Sequence, residues 1–303
     1  MKTIRRLFAV AVAVLFTLST VPAGAEAEPL KALILDGQNN HNWEATTPVM
    51  KAMLEQTGRF EVDVVTSPPQ GGDMSDFKPD FSAYDVVVSN YNGDPWPQAT
   101  RDAFESYVRE GGGFVCVHAA DNAFADWEAY NEIIGFGGWG GRNQDSGPYI
   151  RIVDGEAVKV DESGPAGGHG DRHEFVLDNR APEHPVMRGL PKRFMQAIDE
   201  LYHQMRGPLK NVTVLASAFS DPETRGTGHH EAALLAIDYG EGRCFHTVLG
   251  HDVEAMTGLA FQVTFVRGTE WAATGEVTLD DSDWVARLSE QEAARRDPLA
   301  DAE

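Results

Sequence analysis

The residue with the sharpest chemical signature is His118. It follows the apolar run Phe114-Val115-Cys116-Val117 and opens the polar stretch Ala119-Ala120-Asp121-Asn122, so it occupies a strand-to-helix turn where a nucleophile often stands. That turn holds neither Ser nor Cys, and no G-x-S-x-G elbow occurs. Cys116 lies inside the apolar run, where a thiol is buried and inert. Serine or cysteine acyl transfer is therefore disfavoured. An imidazole can instead serve as general base or metal ligand near neutral pH. His41, His246 and His251 also fall on strands or strand ends, and with His118 they form a candidate ligand set for one divalent ion, zinc first among them. Further groups are His169, His173 and Glu174, then Asp199-Glu200-Leu201-Tyr202-His203, then His229-His230-Glu231. No H-E-x-x-H signature selects among them. A metal-free, hydrogen-bonding pocket for hydroxyl-rich ligands fits the same residues equally well.

The second signal is the mixture of flat rings and short polar side chains. Asp36, Asn39, His41 and Trp43 follow one apolar run; Asn90, Tyr91 and Asn92 follow another. Asp121 and Asn122 follow a third, and Trp139, Arg142 and Tyr202 lie in a Gly-, Asp- and His-rich stretch. Aromatic faces beside carboxylates and amides are how pockets hold sugars. The Gly-rich runs at 111–113 and 137–141 lack the Lys-Ser/Thr of a phosphate loop, so no nucleotide cofactor is expected.

These groups need a scaffold that brings loop tips together. Short, wholly apolar strands are read at 33–35, 62–65, 86–88 and 114–117, alternating with helices at 46–57 and 97–110. That alternation marks a parallel sheet with helices on both faces. In such a sheet ligands bind beyond the carboxyl ends of the strands, where the four clusters at 36–41, 90–94, 118–122 and 250–252 fall. The segment 137–210 breaks the rhythm, with weaker strands at 149–153 and 174–177, and reads as a long insertion folded over the sheet. Strands resume at 212–216, 233–237 and 244–249, a helix is expected at 255–273, and residues 281–303 read as an acidic, frayed tail.

Residues 1–25 resemble an export signal: Lys2, Arg5 and Arg6, an apolar run at 7–18, then Ala23-Gly24-Ala25. The expectation is a soluble periplasmic or secreted protein of one domain at 26–280, without membrane anchoring. Removing those three cations takes the formal charge from −22 to −25, which repels nucleic acid and anionic membranes. A small-molecule sugar is the expected partner, and a homo-oligomer stays open. Cys116 and Cys244 could pair in an oxidising compartment or remain buried thiols.

Several longer stretches carry a resemblance to a known family. They are Asp36-Gly37-Gln38-Asn39-Asn40-His41-Asn42-Trp43, Asn90-Tyr91-Asn92-Gly93-Asp94, Val117-His118-Ala119-Ala120-Asp121-Asn122-Ala123-Phe124 and Gly137-Gly138-Trp139-Gly140-Gly141-Arg142. Asp199-Glu200-Leu201-Tyr202, the run from Gly242 to His251, and Gly268-Thr269-Glu270-Trp271-Ala272-Ala273-Thr274-Gly275 complete the set. Over residues 31–279 the chain resembles the ThuA-like (trehalose-utilisation) proteins. The resemblance implies a flavodoxin-like, class I glutamine amidotransferase-like α/β fold. His118-Ala119 stands where an amidotransferase has its cysteine, so glutamine hydrolysis does not carry over. It further implies an enzyme acting on a disaccharide or 3-keto-glycoside by hydrolysis, elimination or isomerisation. On that reading His118 is the base, and His251, Asp199 or Glu200 supplies the acid or a metal ligand. The competing reading is a non-catalytic carbohydrate-binding or sensing protein on the same scaffold.

Overall fold

The computed structural model describes residues 28–300; the signal-like segment at 1–25 lies outside them. Among the described residues no helix is long and apolar enough to cross a membrane. The apolar runs form one nine-stranded sheet. Its first half is parallel, in the order β2 (Phe60–Thr66), β1 (Leu30–Asp36), β3 (Val86–Ser89), β4 (Gly113–Val117), β13 (Gly242–Thr247). β1, β3 and β4 are buried along nearly their whole length, as strands covered on both faces must be. Helices α1 (Trp43–Gln56) and α5 (Leu259–Thr274) pack together on one face, and α2 (Gln98–Arg109) and α3 (Glu128–Ile134) cover the other. β4 shows the alternation: Phe114 meets Phe104 of α2 and Tyr130 of α3. On the opposite face Phe245 of β13 presses on Gly268 of α5, where any Cβ would collide with the ring.

The second half of the sheet is antiparallel, an extension of the expected parallel sheet. β12 (His230–Tyr239), β11 (Val212–Phe219), β8 (His173–Asn179) and β9 (Arg193–Asp199) extend it antiparallel beyond β13. The cause is local: only Gly240 and Glu241 separate β12 from β13, and so short a connection permits only an antiparallel pair. The expected insertion at 137–210 is thus only partly an insertion, because β8 and β9 belong to the main sheet. Two small antiparallel pairs remain outside it: β5 (Tyr149–Val153) with β6 (Glu156–Val160), and β7 (Gly168–His169) with β10 (Tyr202–His203). The helix expected at 255–273 is broken at Gly258, where α4 (Val253–Met256) gives way to α5. A Cβ at Gly258 would stand 2.8 Å from Ala197 of β9.

Two further expectations are settled. Cys116 and Cys244 are buried free thiols, and burial pushes both well up from the ordinary thiol range. The acidic C-terminal stretch is packed rather than frayed. After α6 (Ser282–Val285), Ser289 O accepts from Met195 N of the edge strand β9 at 2.7 Å, and Ala294 O accepts from Leu259 N at 2.8 Å. Leu288 and Ala293 are buried, Arg295 pairs with Glu174, and Arg267 holds Asp281 in a two-pronged buried ion pair at 2.6 and 2.8 Å. A high charge content conceals these pairings from a reading of composition. Breaking the Arg267–Asp281 pair with Asp281→Ala leaves a buried guanidinium uncompensated. Urea denaturation should show a loss of about 3 kcal/mol; unchanged stability would return this segment to the status of a loose tail.

Candidate functional site

The carboxyl ends of β1, β3, β4 and β13 converge, as the parallel half of the sheet requires. β9 runs in the same direction as those strands and ends at the same edge with Asp199-Glu200. The sheet curls around α5, which touches β3, β4 and β13 as well as β9, so the far edge strand reaches the first loops. His118 leaves β4 with φ at +46°, a left-handed conformation costly for a residue with a Cβ. It opens a short 3-10 turn at His118–Asn122.

Four side chains meet there. The ring centroids of His41, His118 and His251 lie 4.6 to 5.5 Å apart, and Tyr202 stacks on His118 at 4.2 Å. Glu200 stands among the imidazoles: Oε2 is 3.7 Å from His118 Nε2, and Oε1 is 3.9 Å from His251 Nε2 and 3.1 Å from His169 Nδ1. The His118 Nδ1–H donates to Val248 O at 2.6 Å, which leaves Nε2 as the free nitrogen; it is buried and has no hydrogen-bond partner. His41 Nε2 lies 3.3 Å from both the Tyr202 hydroxyl and Asn40 Nδ2, two donors that mark it as the acceptor nitrogen. His251 Nδ1 is 3.3 Å from Asp252 Oδ2, and Arg172 holds that carboxylate at 2.8 Å.

The electrostatics divide these groups. Burial, reinforced by the neighbouring His118 and His251 rings, pushes His41 down to about 4, so it is neutral at pH 7. Burial also works against a charged His118, but Glu200, Asp199 and the Val248 carbonyl together outweigh it and raise its pKa. Burial would raise Glu200, yet His118, His169 and His251 hold it below the usual range. Burial opposes the charged form of Asp252, but the adjacent His251 ring, the Ala255 amide and Arg172 together bring its pKa down to about 2. Burial first, then Asp121 and Glu200, keep the Tyr202 phenol protonated.

Of this cluster His41, Glu200 and Tyr202 line a cleft of about 680 Å³, while His118 and His251 are not among its lining residues. The cleft brings together the predicted Asn39, His41, Trp43, Asn92, Asn122, Trp139, Tyr202 and Glu200. Other predicted residues serve the walls instead. Tyr91 is fully buried and donates to Asp94 O; Arg142 is spent on Asn122, Ala123 and Gly138 carbonyls and Asn131. Asp36 bonds Thr66, and Asn90 joins Asn39 to Thr46 and Thr47. His246 is corrected as a metal ligand: it lies wholly buried on β13, with Nδ1 bonded to Ile134 O at 2.7 Å and Nε2 to Asp121 at 3.2 Å. Strand alternation turns its ring to the α3 face, and Asp121 is consumed by the same bond. His173 and His230 also lie elsewhere, in contact with Asp171 and Asp178. Gly37, Gln38, Asn40, Pro69, Gln70, Gly93, Gly140 and His169 complete the lining. Among these His169 had a signal, its place in an H-x-x-x-H-E run, but nothing in that run showed that β7 pairs with β10 and sets it beside Tyr202.

The chain matches the family model described as ThuA, trehalose utilisation, over residues 31–272. A ThuA-like protein from Parabacteroides merdae, solved by crystallography, is 49% identical, with a TM-score of 0.86 over 89% of this chain and 99% of that one. A ThuA-like protein from Bacteroides uniformis shares the fold at 22% identity and a TM-score of 0.57, over 83% and 95% of the two chains. No curated protein matches.

Asp199 is a positioning residue for the whole cluster. Its buried carboxylate accepts from the backbone amides of Glu200, Gly250 and His251 at 2.8, 2.9 and 3.1 Å, and from Gln196 Nε2 at 2.9 Å. One anion therefore ties the end of β9 to the loop after β13. Burial raises its pKa despite the opposing pull of His118 and those amides. Asp199→Asn puts an N–H donor against backbone donors and should cost about 2 kcal/mol. The amide resonances of Gly250 and His251 should shift with it; unmoved resonances and unchanged stability would show that the two loops hold themselves.

Proposed function

The chain belongs to the ThuA family, and we propose that it is an exported enzyme of carbohydrate metabolism acting on a neutral disaccharide or 3-keto-glycoside. The observation that carries this reading is the lining of the cleft. Gln38, Asn39, Asn40, Gln70, Asn92 and Asn122 offer carboxamides, Trp43 and Trp139 offer apolar faces, and among the described residues no Lys or Arg lines it. Amides that both donate and accept suit hydroxyl groups, and the missing cations disfavour a phosphorylated ligand. Export rests on the signal-like pattern of residues 1–25.

The reaction we assign is proton transfer at the carbon beside a sugar ketone. His251 is the base: Asp252 Oδ2 lies 3.3 Å from its Nδ1, and its Nε2 stands on the cluster side, 3.9 Å from Glu200 Oε1. His118, first expected in that role, is buried with Nε2 turned to Glu200, and acts through that carboxylate. The C–H proton passes to His251 Nε2 and its electron pair moves onto the ketone oxygen as an enolate. Return of that pair expels the glycosidic oxygen from the next carbon, and that oxygen takes up a proton as it leaves; alternatively, the adjacent hydroxyl passes its proton to the enolate oxygen and becomes the new ketone as a proton is added to the former carbonyl carbon, which completes an isomerisation. Both outcomes share the first step.

That step is read by deuterium wash-in beside the ketone when 3-keto-glycosides are incubated with the enzyme in D₂O. His251→Ala should lower kcat/KM by about 10²- to 10⁴-fold with little change in binding, and Asp252→Asn by a smaller factor. A sugar that binds, exchanges no hydrogen and is recovered intact would instead assign a binding protein.

A further inference from the structure

We infer that His41, His118 and Glu200 form a binding site for one divalent transition-metal ion of the zinc class. A nitrogen from each histidine and a carboxylate oxygen of Glu200 all lie within 4.8 Å of one another. A tetrahedral set with bonds of about 2.1 Å has edges of about 3.4 Å, so small side-chain rotations close the three around an ion. The ligand set differs from the one composed of histidines alone: His246 and His251 leave it and Glu200 enters.

Three observations carry the assignment. The first is the orphaned nitrogen. His118 is only 2% exposed, its Nδ1–H is fixed on Val248 O, and its Nε2 aims at Glu200 with no hydrogen bond. An unpartnered buried nitrogen is costly, and a metal bond satisfies it. A ring whose other nitrogen is fixed on a carbonyl is also the usual outer-shell arrangement of a metal-bound histidine. The second is the nature of the contact: 3.7 Å between His118 Nε2 and Glu200 Oε2 is too long for a hydrogen bond but suits two ligands of one ion. The third is charge. Two neutral imidazoles and one carboxylate are an N₂O set that favours zinc-like ions over magnesium or calcium, and a dication leaves one net positive charge. That charge falls where the cleft lining has no Lys or Arg. It would polarise a carbonyl or hydroxyl oxygen of a bound sugar. His251 stays outside the set, with Nε2 3.9 Å from Glu200 Oε1.

The inference concerns the same cleft as the proposed reaction but stands on ligand geometry alone, and its test uses no sugar. Chelator-stripped protein is titrated with Zn²⁺ by calorimetry and with Co²⁺ by visible absorption. The expected result is binding of roughly one equivalent, with Co²⁺ bands of low-symmetry nitrogen–oxygen coordination. His41→Ala and Glu200→Gln, both at the cleft surface, should weaken binding by about 100-fold or more, while their metal-free far-UV spectra match the parent. His173→Ala, whose ring bonds its own loop, should bind as the parent does. Failure of the parent to bind Zn²⁺, Co²⁺ or Mn²⁺, or binding that survives both site variants, would overturn the assignment and leave the proton-transfer reading untouched.

Discussion

A single buried carboxylate determines whether the cleft exists. Asp199 lies at the end of the edge strand, with four sheet neighbours between β9 and β4. Its contacts with the Gly250 and His251 amides close the curl of the sheet, and the following residue, Glu200, is thereby delivered between three imidazoles. Buried backbone amides must find acceptors, so this anchor also satisfies the loop that it holds. The geometry of the cluster then follows from chain direction: β9 ends at the same edge as β1, β3, β4 and β13 because an even number of antiparallel reversals separates it from them.

The reactive edge was legible in the sequence because wholly apolar strands stop abruptly at polar tips. Asn39, His41, His118 and His251 could all be placed there from that pattern. The family resemblance also carried the fold correctly. The antiparallel half was less visible. β8 and β9 alternate buried and exposed residues, which reads as irregular beside the solid apolar runs of β3 and β4. Side-chain direction was the other obstacle. His246 and His118 both belong to apolar strands, yet one turns into the α3 face and the other tops the strand in a left-handed turn. No spacing rule separates them. Likewise Asp199 and Glu200 are adjacent acids with opposite duties, one spent on amides and one facing the cleft, and only the neighbouring elements decide which is which.

The acidity of the chain acquires a local meaning. A net charge of −22 would repel any anionic ligand, and the cleft lining adds no cation to overcome it. Arginines near the cleft are committed: Arg142 to backbone carbonyls, Arg172 to Asp252 and Glu254. The cleft surface is left to carboxamides and aromatic faces.

The packed C-terminal segment bears on how the molecule behaves among its own copies. An open sheet has two rims of unsatisfied backbone, each a template for another strand. Along β9 the chain's own Ser289 carbonyl takes up the Met195 amide. Along β2 the exposed side chains include Glu61 and Asp63, so a second copy approaching in strand register would bring carboxylates against carboxylates. One rim is thus capped at a point by the chain itself, and the other presents carboxylates that oppose a second copy in strand register.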